Sequence, residues 1–116
     1  MAGCAAAPEQ APAPVETPAP SPGPRENVAV AGLMESARAD AAAGRLAAAA
    51  ASLERALRIE PRNPRLWQQL ARVRLQQADY AQAESLAARS NGFAGGDTAL
   101  RAENQRIIDE SRAARR

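Results

Sequence analysis

The stretch Asn63–Ala83, NPRLWQQLARVRLQQADYAQA, sets the architecture of the chain. Asn63 followed by Pro64 reads as an N-cap and a first helical residue. The Asn side chain can accept from an orphan backbone N–H, and proline lacks only an N–H that would find no partner there. Trp67, Leu70, Ala71 and Leu75 recur at helical spacing, which predicts a helix from Pro64 to about Gln77 with those residues inward. Asp79 caps a following helix, about Tyr80 to Ser90, with Ala83, Leu86 and Ala87 on one face. The unit is a short helical hairpin closed on alanine.

A similar unit lies upstream. A helix over about Val28–Ala43 carries Leu33, Met34, Ala37 and Ala41, and Gly44 supplies the turn. A second runs from about Leu46 to Ile59 with Ala49, Ala50, Leu53, Ala56 and Leu57 on one face, and Pro61 stops it. Downstream, Asn91-Gly92 and Gly95-Gly96 read as breaks. Asp97 then caps a last helix to about Ala114, with Leu100, Asn104, Ile107, Ile108 and Ser111 on one side, before a fraying Arg115-Arg116.

Composition agrees with an all-α fold. The apolar share is 46%, but it is mostly alanine, and Trp67, Tyr80 and Phe93 are the aromatics. Alanine is the best helix former and buries little area, so its core demands close helix approach. β-branched and aromatic residues are too scarce for strands. All 15 basic residues are arginine, interleaved with 13 acids, and the net charge of +2 is too mild to argue for nucleic acid. Histidine is absent and cysteine occurs once, which removes the commonest general base, the commonest metal ligand and any Cys/His pair. The chain therefore reads as a non-enzyme with no metal or cofactor. No stretch approaches the roughly 18 apolar residues of a spanning helix.

The helical pattern repeats with a period of 34 residues. Sliding residues 30–63 onto 64–97 aligns Ala37 with Ala71, Arg38 with Arg72, Ala47 with Ala81, Ala49 with Ala83 and Arg55 with Arg89. This pattern resembles the tetratricopeptide repeat, whose signature runs W-x2-L-G-x2-Y, A-x3-F, then P. The second repeat shows Trp67-x2-Leu70-Ala71, then Tyr80 and Ala83. The first shows Leu33, Ala37, Gly44, Ala49-x3-Leu53, Ala56 and Pro61. Ser36, Asp40, Arg74, Ala87 and Gly95 depart from it, as degenerate terminal repeats do. The resemblance implies two helical hairpins, 30–63 and 64–97, and a capping helix over 98–114, together a domain over 27–114. Two repeats are fewer than the three usually needed. Either the cap does more than usual, or the module dimerises or folds against its partner.

In this family the first helix of each pair lines a groove for a partner protein or peptide. Carried over, that face holds Met34, Arg38, Arg65, Gln68, Arg72 and Gln76. Arg38 and Arg72 share one repeat position, and two guanidinium groups there could hold a carboxylate or acidic segment. Trp67 is assigned to core packing by its repeat position, and Tyr80 and Phe93 to structure. Asp109 and Glu110 point apart on a solvated helix face. Gly95-Gly96 is a loop, with no preceding strand or following Lys to make a phosphate cradle.

The first 26 residues read differently. Seven of the nine prolines lie between Pro8 and Pro24, which predicts an extended tether at about 3.1 Å per residue, reaching at most roughly 60 Å. Ala2-Gly3-Cys4 resembles the end of a bacterial lipobox, with Met1 where Leu would stand. The resemblance implies a precursor with a signal segment upstream of Met1 and a lipidated Cys4 as mature N-terminus. Ala5 after it implies the periplasmic face of the outer membrane. Without lipidation, the same module reads as a soluble cytosolic adaptor or secretion chaperone.

Overall fold

A computed structural model describes residues 28–116, with five helices and no strand among them. These are α1 (Val28–Ala42), α2 (Leu46–Ile59), α3 (Pro64–Gln76), α4 (Tyr80–Phe93) and α5 (Thr98–Ala114). The expected helix order holds throughout. α2 and α4 begin at Leu46 and Tyr80, and α3 and α5 at Pro64 and Thr98, the same 34-residue step in each case.

The caps explain the boundaries. Asn63 Oδ1 accepts from Arg65 N, Asp79 from Gln82 N and Asp97 from Leu100 N, each satisfying a backbone donor that the first turn leaves open. The two hairpin turns are also closed alike. Arg45 N donates to Asp40 O across Gly44, and Asp79 N donates to Arg74 O across Ala78, at 2.8 and 2.9 Å. Both bridging residues are left-handed, Gly44 at φ +82° and Ala78 at φ +63°. Glycine takes that conformation freely, whereas alanine there is strained by its Cβ.

One boundary differs from expectation. α4 does not break at Asn91-Gly92 but runs to Phe93, and the chain turns at Gly95 with φ +57°. Asn91 Oδ1 accepts from Asn104 Nδ2 at 2.9 Å, so a tertiary hydrogen bond holds the Asn in the helix against its turn preference.

α1 packs on α2, α3 on α4, α2 on α3, and α5 on both α4 and α3. The first core cluster joins the hairpins through Val30, Met34, Ala37, Leu53, Leu66 and Leu70. The second joins α5 to the second hairpin through Ala71, Ala83, Ala87, Ile107 and Ile108. Ala71, Ala83 and Ala87 are fully buried, so methyl groups line the α3–α4–α5 crossings and let the helices approach closely. The expected core of α2 is buried at Ala49, Ala50, Leu53 and Ala56. Val30, Leu66 and Val73 join the core beyond the sequence reading.

Trp67 is not one of the fully packed core residues. It is half-buried; Leu66 beside it is the one turned fully inward. The Trp67 indole Nε1 donates to Pro61 O at 2.7 Å, and the Arg89 guanidinium carbon lies 4.8 Å from its ring centroid. The polar edge of the indole thus ties the loop that starts α3, while its face carries a cation. Phe93, expected to close the loop before α5, is exposed.

Candidate functional site

α1, α3 and α5 present one side of the hairpin stack, and two adjoining depressions lie along it. The first, of about 150 Å³ between α1 and α3, is lined by Met34, Arg38, Arg65, Gln68, Gln69 and Arg72. The second, of about 770 Å³ between α3 and α5, runs from Arg72 past Leu75, Gln76 and Ile107 to Glu110 and Ala113. Arg72 lines both.

The helical register brings these residues together. Arg65, then the neighbours Gln68 and Gln69, then Arg72 and Gln76 follow at steps of three or four on α3, so they lie along one face. Gln69 Nε2 donates to Met34 O at 3.1 Å and so fixes α3 against α1. Of the six residues assigned to the groove from the sequence, five line the first depression, and Gln76 lines the second with Arg72.

They do not all stand available for contact. Met34 is buried in the core, and its side chain shapes the floor. Gln68 is buried as well, and its amide is spent within the fold. Its Nε2 donates to Asn104 Oδ1 at 2.9 Å and to Leu100 O at 3.1 Å. The exposed face is narrower than the sequence implies, because packing between the hairpins buries Met34 and the docking of α5 covers Gln68. Arg38, Arg65, Arg72 and Gln76 remain exposed.

The two arginines of matching repeat position have different surroundings. Arg38 pairs with Glu35 on its own helix at 2.8 Å. Arg72 reaches across to Glu103 of α5 at 2.9 Å, and Arg106 pairs with the same carboxylate at 2.5 Å. The hydrogen bonds from Arg106 and Arg72 hold the Glu103 carboxyl below its ordinary value. Glu103 therefore remains ionised between two guanidinium groups. Sequence reading missed it, since Arg106 is a local partner three residues on but Arg72 comes from another helix, 31 residues back in the chain.

Behind this surface lies a polar network inside the α3–α4–α5 junction. Asn104 Nδ2 donates to Ser90 Oγ at 2.8 Å and to Asn91 Oδ1, while Ser90 Oγ donates to Pro64 O at 2.8 Å. Asn104 and Ser90 are fully buried. Each bond is directional, so the network fixes how α5 seats on α3 and thereby the width of the larger groove. At the far end of α5, Glu84 of α4 accepts from Arg112 at 2.8 Å and also from Arg115.

Cys4 lies outside the described residues, as does the tether. No described helix is long and apolar enough to cross a membrane.

A search of the curated proteins gives no match. Among solved structures, the chain is similar to the globular C-terminal domain of P. aeruginosa LpoP, with 42% identity and a TM-score of 0.74, over 77% of this chain and 84% of that one. The tetratricopeptide repeat profile matches residues 40–102, spanning both hairpins into α5. With a 34-residue step, paired helices and alanine-lined crossings, the chain belongs to the tetratricopeptide repeat family, whose folds serve as protein-interaction modules.

Proposed function

We propose that this chain is a non-catalytic scaffold that recruits a partner protein on the inner surface of its helical module, tethered by a lipid on Cys4 to the periplasmic face of the outer membrane. The observation that carries the first half is the pair of depressions that share Arg72 along α1, α3 and α5. The likeness to the LpoP domain at 42% identity supports it. The second half rests on Ala2-Gly3-Cys4 standing before a proline-rich run. Two or more acyl chains would make such an anchor stable, at about 0.8 kcal/mol per buried CH₂. In this reading residues 1–26 are anchor and tether, and 27–114 the binding module. Arg38, Arg65, Arg72 and Gln76 contact the partner, with Met34 and Gln68 shaping the floor beneath them.

A photo-crosslinking amino acid at Arg38 or Gln76, compared with one at Arg58 of α2, tests the surface. The inner positions should give a discrete crosslinked band in cells and Arg58 none; equal labelling would exclude the inner surface. Palmitate labelling with Cys4→Ser as control tests the anchor. Label on the wild type alone is expected, and an unlabelled wild type would leave the soluble adaptor as the reading.

A further inference from the structure

We propose that the groove between α3 and α5 receives a short amphipathic segment of the partner, with a carboxylate at one end, an apolar side chain in the middle and a basic group at the other. This rests on the partner-binding reading of the inner surface and adds the chemistry of what lies there.

The floor is apolar. Leu75 and Ile107 meet there in the second core cluster, and Ala113 extends the floor along α5. Its two ends carry opposite charge. At one end Arg72 and Arg106 share the single carboxylate of Glu103, so two cations face one anion. At the other, Asp109 and Glu110, expected from the sequence to point apart on a solvated face, both line the groove; Asp109 accepts from the neutral Gln105 Nε2 at 2.9 Å, and Glu110 is exposed beside it. Arg112 and Arg115 both turn to Glu84 of α4 and do not line the groove, so the charge facing it at this end is that of Asp109 and Glu110. Arg106 and Glu110 are one helical turn apart on α5, so the two charged ends are separated by about 5–6 Å along the groove. A segment with opposite charges three or four residues apart on a helix matches that spacing.

Glu103 already occupies the guanidinium pair that the partner's carboxylate would use. An incoming carboxylate takes its place, and the Coulomb gain of binding is set against the loss of the internal pair. Removing the internal rival should therefore strengthen binding to an acidic end.

Three labelled helical peptides of equal length and identical apolar face test this on the full chain. Their charged ends are Glu and Arg, Glu and Glu, or Arg and Arg. Fluorescence anisotropy should show the mixed peptide binding about tenfold tighter than either other. Methyl NMR should place it at Leu75 and Ile107. Glu103→Gln should tighten the mixed peptide several-fold. Asp109→Lys with Glu110→Lys should transfer the preference to the Glu/Glu peptide. Equal affinities, no binding at all, or an unmoved preference in the double variant would each overturn the proposal. If crosslinking still maps to Arg38 and Gln76 while the peptides show no charge order, only this inference fails. If crosslinking leaves the inner surface, the broader reading fails with it.

Discussion

Gln68 and Asn104, 36 residues apart in the chain, meet side chain to side chain in the interior, with Gln68 Nε2 donating to Asn104 Oδ1 at 2.9 Å. Asn104 also donates to Ser90 and Asn91, so one side chain joins three helices. Asn104→Ala should cost about 1–3 kcal/mol by leaving buried partners without bonds. Asn104→Leu should not recover it, although Leu is close to Asn in shape, because Gln68, Ser90 and Asn91 each still lose one hydrogen bond. Urea denaturation followed by circular dichroism checks both. A Leu variant as stable as wild type would mean that the network does not anchor α5.

The strained turn offers the opposite sign. Ala78 is exposed and left-handed, at the repeat position that Gly44 fills in the first hairpin. Ala78→Gly should raise stability by about 0.5–1 kcal/mol, relieving the Cβ strain at some cost in chain entropy. Gly44→Ala should lower it by a similar amount. The urea midpoints of the two variants should move in opposite directions.

The alanine crossings should tolerate no added volume. Ala83 is fully buried between α3, α4 and α5, and Ala83→Leu should cost about 1–3 kcal/mol by forcing the helices apart. The thermal midpoint measures it, and an unchanged value would place Ala83 outside the crossing.

Acid should loosen the end of α5. The hydrogen bond from Arg112, with Arg115 adding to it, holds the Glu84 carboxyl below its ordinary value of 4.5. A group depressed in the folded state contributes fully above its unfolded value and loses that contribution as pH falls through the folded one. The stability difference between wild type and Glu84→Gln should thus be constant from pH 7 to about 5 and shrink below pH 4.5. Thermal melts across that range at low salt read it out.

Trp67 is the sole tryptophan, so its fluorescence reports on one place. Arg89→Ala uncovers the indole face and should increase acrylamide quenching, with a stability loss of about 0.5–1 kcal/mol. Unchanged quenching would mean that the guanidinium does not shield the ring.

The fold was legible because its punctuation is local. Asn63, Asp79 and Asp97 cap helices through their own side chains, and Gly44 turns the chain through its own backbone, so each boundary stands in a few adjacent letters. The misreadings share the opposite cause. Asn91-Gly92 carries a turn signal that a bond from Asn104 overrides, thirteen residues on. Trp67 matches a family position, yet neighbouring Leu66 takes the deepest place while the indole reaches back to Pro61. For the groove, the register of α3 was readable from its spacing. The burial of Gln68 and the engagement of Arg72 by Glu103 were not, since both depend on where α5 docks.

The helical course of Asn91-Gly92 bears on how the protein ages. Deamidation at such a dipeptide begins when the glycine nitrogen attacks the asparagine side-chain carbonyl, which requires a pliant, extended backbone. Here the peptide is wound into α4, and the side-chain oxygen is held by Asn104. Slow loss of ammonia through the cyclic imide, which water opens to aspartate and isoaspartate, is thereby confined to moments when the junction opens, and its rate becomes a clock of local unfolding, readable as a one-dalton mass gain.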